Sequence, residues 1–141
     1  MSPEDERPDL AAMLHPLLRA LIAAELPVLE EHDVSMWGYA VLTALDDTPV
    51  RTQAALADAI GADKSRIIGT LDELQGAGLI ERTPDPSDRR VRLLSITPKG
   101  RRVRRSVRKG IRAHEDRILA TLSPADRQAF LRAVGTLYDA R

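Results

Sequence analysis

The feature that most constrains the fold is a pair of short helical patterns joined by a glycine, between residues 52 and 76. Thr52 is a good N-cap for a helix through QAALADAI, and Gly61 is placed to end that helix. Asp63 can cap a second helix within KSRIIGTLDELQGAG, whose inward side is apolar and which Gly76 and Gly78 are placed to end. The side chains that recur at helical spacing on this side are Ile67, Ile68, Leu71 and Leu74. Two helices joined by such a tight turn form a helix-turn-helix.

Two β patterns follow the second helix directly. The first is LIERT (79–83), and the second is VRLLSIT (91–97), which is rich in β-branched residues and leucine. A Pro- and Asp-rich loop, residues 84–90, separates them. A helix-turn-helix followed by a hairpin is a winged helix, so the sequence predicts a mainly α fold with a small β-hairpin wing (79–97).

The N-terminal part of the chain is more apolar than a small domain needs. Residues from about 10 to 31 are dominated by leucine, alanine and isoleucine, and a helix that is apolar nearly all round requires burial. Pro16 and Pro27 are expected to start, kink or end helical pieces within this segment.

Three further helix starts are indicated by capping residues. Ser35 is a good N-cap for a helix over MWGYAVLTAL, and Thr97-Pro98 and Ser123-Pro124 are cap-and-proline pairs. The helix that begins at Pro98 is long, and Gly110 gives it a place to bend.

The net charge of zero conceals a segregation of charge along the chain. Residues 1–50 contain two arginines against ten acids, whereas residues 51–110 contain fourteen Lys and Arg against seven acids. A basic middle segment of this kind suits a polyanion. Within it, Lys99 and Arg101 are candidates for contacts to phosphates.

Composition also limits where the protein acts and what it binds. The absence of cysteine excludes disulfides, thiol redox sensing and Cys-ligated zinc. The N-terminus is acidic, unlike a signal peptide, and no uninterrupted apolar run approaches the length of a membrane span. A soluble cytoplasmic protein is therefore expected.

The second helix of the helix-turn-helix has an outward face suited to nucleic acid. With about 100° per residue, the apolar stripe turns small or basic residues outward. The outward residues are Ala62, Ser65, Arg66, Gly69 and Glu73, with Lys64 and Thr70 at the margins. Arg66 can reach guanine or a phosphate, and Ser65 can donate to or accept from either.

The tip of the wing carries a second cationic group. Arg89, Arg90 and Arg92 cluster at the turn, and a hairpin tip is narrow enough to place a guanidinium in the minor groove. Asp88 lies two residues before Arg90, close enough to orient it by an ion pair. The candidate DNA-binding residues are Thr52, Lys64, Ser65, Arg66, Thr70, Asp88, Arg89, Arg90 and Arg92.

These motifs resemble the MarR family of bacterial transcription regulators. The resemblance is carried by LDELQGAGLIERTPDPSDRRVRLLSITPKG (71–100), with support from DVSMWGYAVLTAL (33–45) and LSPADRQAFLRAVGTLYD (122–139). It implies a homodimer that binds a pseudo-palindromic operator, usually as a repressor, and is released by a small aromatic or anionic ligand. It also implies three regions: an N-terminal dimerisation region (1–34), a winged helix-turn-helix lobe (35–100) and C-terminal dimerisation helices (98–141).

The resemblance assigns two further groups of residues. The apolar side chains expected at the dimer interface are Leu14, Leu17, Leu21, Phe130, Val134 and Leu137. The residues expected to line an effector pocket are His15, Trp37 and Tyr39. Gly69 departs from the family pattern, because many relatives carry a larger polar or basic residue there, which displaces base recognition onto its neighbours.

An enzyme and a protein-interaction module are the two alternative functional classes. An enzyme is disfavoured, because phosphate-loop, HExxH and nucleophile-elbow patterns are missing, and no catalytic residue or cofactor is assigned. The three histidines, His15, His32 and His114, lack the spacing of metal ligands. A winged-helix protein-interaction module that no longer binds DNA specifically stays open, and Gly69 is the residue that favours it.

Overall fold

The computed structural model describes residues 2–48 and 50–141 and confirms the predicted mainly α fold with a β-hairpin wing. Its elements in chain order are α1 (Pro3–Glu6), α2 (Leu10–Glu31), α3 (Met36–Asp47), β1 (Val50–Thr52), α4 (Gln53–Ile60), α5 (Lys64–Gly76), β2 (Ile80–Pro84), β3 (Arg92–Ile96), α6 (Pro98–Leu119) and α7 (Pro124–Ala140). The chain divides into two compact units. The winged-helix unit is Leu26–Gly110, and the terminal unit is Met1–Glu25 with Ile111–Arg141.

The predicted caps hold the helices of the winged-helix unit. The hydroxyl of Ser35 accepts a hydrogen bond from the amide of Gly38 at 2.9 Å, and that of Thr52 accepts from Ala55 at 3.2 Å. Gly61 ends α4 with φ +67°, a left-handed conformation that glycine adopts without strain. The unit's core joins α3, α4, α5 and the sheet, and its fully buried side chains include Val41, Leu42, Leu45, Leu56, Leu71 and Leu94.

The sheet has a third strand that the sequence did not predict. The strand order is β1-β3-β2, and both pairs are antiparallel. In the hairpin Ile80 is opposite Ile96 and Pro84 is opposite Arg92, while Thr52 of β1 is opposite Leu93. Three residues are too few to show a period-two pattern, so β1 was not visible in the sequence.

The start of α6 is bound closely to the segment between α5 and β2. The Thr97 hydroxyl donates to the carbonyl of Gly78 at 2.7 Å and accepts from the amide of Gly100 at 3.0 Å. A Cβ at Gly100 would lie 2.1 Å from the carbonyl oxygen of Leu79, so no larger residue fits there. The Thr-Pro-Lys-Gly motif therefore caps α6 and also packs the start of this helix against Gly78 and Leu79.

Helix α2 differs from the sequence-based expectation in two respects. It runs unbroken from Leu10 to Glu31 through both Pro16 and Pro27, although each proline removes one helical hydrogen bond. It is also long and apolar enough to cross a membrane by length and composition, with a mean hydropathy of 1.5. Isolated polar residues such as Arg19 and Glu25 interrupt its apolar runs without lowering its mean hydropathy much.

Gly110 serves close packing within the winged-helix unit. A Cβ added at Gly110 would lie 2.6 Å from Cγ1 of Val28, which is buried on α2. The glycine, expected as a place for a bend, therefore permits α6 to approach α2 at this point.

The terminal unit contains α1, α7 and the outer parts of α2 and α6. Asp116 forms an ion pair with Arg127 across the turn between α6 and α7. Burial, reinforced by the negative charge of Glu115, raises the pKa of Glu25.

Candidate nucleic-acid interface

The exposed face of α5 carries most of the predicted helix residues. Lys64, Ser65 and Arg66 are exposed at its first turn, and Thr70 is half-buried at the margin. The Asp63 carboxylate caps the helix, accepting from the Ser65 amide at 3.3 Å and from its hydroxyl at 3.1 Å. The cap therefore fixes the rotamer of Ser65 while leaving its oxygen able to accept a further hydrogen bond.

Two orientations predicted for α5 and the residues before it are wrong. Ala62 was expected to face outward, but it is half-buried and packs against the core. Ile68 was placed in the inward stripe, but its side chain is 49% exposed. Ile67, Leu71 and Leu74 alone define the buried side, and Ile68 lies about 100° from Ile67 around the helix.

The wing turn is organised by two aspartates. Asp85 accepts hydrogen bonds from the amide and the hydroxyl of Ser87, at 2.9 and 2.8 Å. These two bonds stabilise the carboxylate and lower the pKa of Asp85. The backbone closes the turn, because the Asp85 amide donates to the carbonyl of Val91 at 2.9 Å.

Arg90 is positioned by Asp88, as the sequence suggested. The Asp88 carboxylate accepts from the Arg90 amide at 3.1 Å and from Nε at 3.2 Å. The Arg90 side chain is nevertheless 92% exposed. Arg89 and Arg92 are exposed as well, so all three arginines are accessible to a polyanion.

The wing arginines meet the beginning of α4 at one cavity. It has a volume of about 330 Å³, and its lining residues are Thr52, Gln53, Ala54, Arg90, Val91 and Arg92. The structure thus brings Thr52 together with two of the wing arginines, although they are far apart in the sequence. A helix N-terminus and guanidinium groups on one surface are suited to a phosphate.

Sequence reasoning missed a connection between α5 and the wing. Arg82 on β2 forms an ion pair with Asp72, and its Nε donates to Oε1 of Gln75 at 2.6 Å. Gln53, Gln75, Arg82 and Arg92 line a second cavity of about 290 Å³. Asp72 and Arg82 are ten positions apart in the sequence, on opposite sides of a turn between a helix and a strand, so no periodic pattern reveals the pair.

Lys99 and Arg101 are engaged within the winged-helix unit. The Lys99 ammonium donates to the carbonyl of Ala77 at 3.0 Å. Arg101 and the more buried Arg104 both pair with Asp46, at 2.6 and 3.0 Å. These cations therefore contribute to packing, and their availability to phosphates is reduced.

The predicted dimer residues are at most partly covered by the described part of the chain. Leu14, Val134 and Leu137 are exposed, and Leu17, Leu21 and Phe130 are half-buried.

The predicted effector-pocket residues fall in both units. His15 is exposed in the terminal unit, while Trp37 and Tyr39 are half-buried in the winged-helix unit. Tyr39 packs against the core. Within residues 2–48 and 50–141, no group of three or more His, Cys, Asp or Glu could hold a metal ion.

Comparisons with known proteins point to transcription regulators. A family model described as "MarR family" matches residues 34–91. A protein of Thauera aromatica, named for transcriptional regulation of the hcr operon, is 31% identical over 100 residues. That alignment covers 71% of this chain and 60% of the relative, so the chain spans about three fifths of the relative's length.

Solved structures match nearly the whole chain. The transcriptional repressor CouR, bound to a 23-mer DNA duplex, has a TM-score of 0.81 and 31% identity, covering 94% of this chain and 93% of CouR. PcaV of Streptomyces coelicolor, in complex with its natural ligand, has a TM-score of 0.69 and 29% identity, covering 95% and 97%.

Proposed function

The chain belongs to the MarR family of DNA-binding transcriptional regulators, and on this premise we propose that it is a cytoplasmic, homodimeric repressor of a pseudo-palindromic operator. In this proposal α5 enters the major groove of each half-site, and Arg90 enters the flanking minor groove. The observation that carries it is the shared surface of Thr52, Arg90 and Arg92 at the wing cavity. CouR, which is similar over 94% of the chain, is bound to a DNA duplex and is named a repressor.

The dimer is supported by the apolar side chains of the terminal helices. Large hydrophobic residues that stay exposed in α2 and α7 include Leu10, Leu14, Leu18, Leu131, Val134 and Leu137. Contiguous exposed apolar surface is typical of protein interfaces. A second copy, packed through the segments 1–34 and 98–141, covers it.

Release by a small aromatic or anionic ligand completes the proposal. PcaV, a regulator of the same fold, is known in complex with its natural ligand. Each predicted residue is proposed as a ligand contact within its own unit, His15 in the terminal unit and Trp37 and Tyr39 in the winged-helix unit, because imidazole and amphipathic rings suit an aromatic or anionic molecule.

Selection from random DNA duplexes tests the proposed function. The full-length protein should enrich a pseudo-palindrome, and its affinity for that duplex should fall steeply as salt increases, because phosphate contacts release counterions. The matched control is a scrambled duplex of the same composition. No enriched sequence and an affinity insensitive to salt would instead indicate a protein-interaction module.

A further inference from the structure

Ile68 is the exception in the distribution of exposed apolar residues. Among the side chains that the structure describes, twelve large hydrophobic ones are exposed, and eleven of these lie in α2, at the start of α3, or from residue 122 onward. Among the described side chains of the helix-turn-helix and the wing, Ile68 alone is in this group. A partner that covers the terminal helices therefore leaves Ile68 unexplained.

The position of Ile68 on α5 is within the exposed face. Ser65, Ile68, Gly69 and Asp72 are spaced at i, i+3, i+4 and i+7, and all four are exposed. A Cβ added at Gly69 would meet no atom within 4 Å, so the helix backbone beside Ile68 is open. The branched side chain of Ile68 therefore projects next to a position where α5 can approach another surface closely.

The charge around Ile68 is compatible with the floor of a DNA groove. Asp72, at the far end of the exposed stripe, is paired with Arg82, so its negative charge is compensated. At the near end are the hydroxyl of Ser65 and the cation of Lys64. In the major groove the apolar feature of a base pair is the C5-methyl group of thymine, which apolar side chains contact.

We propose that Ile68 is a specificity-determining residue that recognises thymine through its C5-methyl group. The proposal rests on the proposed function, since it requires α5 to lie in the major groove. It gives the helix two kinds of recognition: Arg66 donates hydrogen bonds to base edges or phosphates, and Ile68 selects a methyl group. A thymine at one position of each half-site follows from it.

Uracil substitution in the DNA tests the proposal, because uracil lacks only that methyl group. Each thymine of the selected operator is replaced singly by uracil, and the affinities of the full-length wild type and of Ile68→Ala are measured. At one position per half-site, wild type should lose affinity about fourfold, the value for burying one methylene-sized group. Ile68→Ala should bind thymine and uracil duplexes alike, and Ile68→Val should give an intermediate loss.

The controls distinguish a loss of folding, a failure of the proposed function and a failure of the proposed role of Ile68. Ile68 is exposed and alanine favours helix, so Ile68→Ala should keep its circular dichroism spectrum and its salt-dependent binding to scrambled DNA. Uracil at the other thymines is the matched control in the DNA. If the wild type selects an operator but every uracil substitution affects both proteins equally, the role of Ile68 is wrong and the proposed function stands. If the wild type selects no sequence, both are wrong.

Discussion

The backbone amide and Nε of Arg90 are held by Asp88, yet most of the arginine side chain is in solvent. Asp88 accepts from its amide and from Nε, so the guanidinium is oriented before it meets a partner. An exposed ion pair of this kind contributes little to the free energy of unfolding. We expect its effect on DNA affinity instead, because an oriented side chain loses less conformational freedom on entering a groove.

Replacing Arg90 with alanine should lower operator affinity by about 1–3 kcal/mol and leave the fold intact, since the side chain is exposed. Arg89→Ala is the matched control: it should weaken binding to operator and scrambled duplexes about equally, as expected for a phosphate contact. Titration of both variants against both duplexes checks this. An unchanged operator affinity for Arg90→Ala would show that the wing does not enter the groove.

Gly69→Ala should increase the stability of the fold and decrease the affinity for the operator. The added methyl group meets no atom of the protein, and alanine is more favourable than glycine in a helix by up to about 1 kcal/mol. The midpoint of thermal unfolding should therefore rise. Affinity for the operator should fall, because the methyl group keeps the backbone of α5 away from the bases. Equal affinity of variant and wild type would exclude a close approach at this residue.

At the scale of elements, α5 and the wing are joined by side chains as well as by the chain. Arg82 pairs with Asp72 and donates to Gln75, and both acceptors lie on the last two turns of α5. The pair also neutralises an acid beside the face that is proposed to meet DNA. These contacts therefore connect the two proposed DNA-binding elements directly.

Arg82→Met should weaken DNA binding, because it leaves the charge of Asp72 uncompensated near the phosphates. The double variant Arg82→Met/Asp72→Asn should recover most of that affinity. Both should change the free energy of unfolding by less than about 1 kcal/mol, since the pair is partly exposed. Denaturant unfolding and DNA titration provide the two measurements. Failure of the second substitution to restore binding would assign the effect to the geometry of the wing instead.

The wing turn should keep its structure through mildly acidic pH. Hydrogen bonds from Ser87 lower the pKa of Asp85 below its ordinary value of 3.8, so the ionised carboxylate stabilises the folded turn. This contribution is present above pH 3.8 and is lost as the pH falls through the lowered value. The NMR signal of the Ser87 amide should titrate with a midpoint below 3.8 and should not do so in Asp85→Asn. A midpoint at or above 3.8 would contradict the hydrogen-bonded turn.

Local features of these elements were predictable, and long-range ones were not. Ser35, Thr52, Asp63 and Ser123 cap helices as predicted, because a cap depends on only three or four neighbouring residues. The Asp88–Arg90 pair is local in the same sense. The pairing of β1 with β3, the contact of Gly110 with Val28, and the partners of Arg82 join distant segments, and no pattern within one element specifies them.

At the scale of the whole molecule, the terminal helices of the chain expose a large amount of apolar surface. Only Val28 and Leu29 of α2 are buried, although this helix is apolar enough to span a membrane. α7 has no buried residue and exposes Val134 and Leu137. The proposed second copy would cover this surface and remove it from water.

The protein should sediment as a dimer at micromolar concentration. Val134→Glu/Leu137→Glu should shift it to monomer, because two charges cannot be buried unpaired in an apolar interface. Operator binding should fall with it, since a dimer is needed to contact both half-sites. Arg132→Glu, on the same helix but at an already polar position, should stay dimeric. A wild type that sediments as a monomer would contradict the proposed assembly.

Thr97 joins the wing directly to α6. A single residue separates the last residue of β3 from the first of α6, and its hydroxyl is engaged both with Gly78 and with Gly100. The carbonyl of Leu79 fills the space beside Gly100, so the start of α6 is closely packed against this residue. We therefore expect any tilt of the first turn of α6 to displace the end of the hairpin as well.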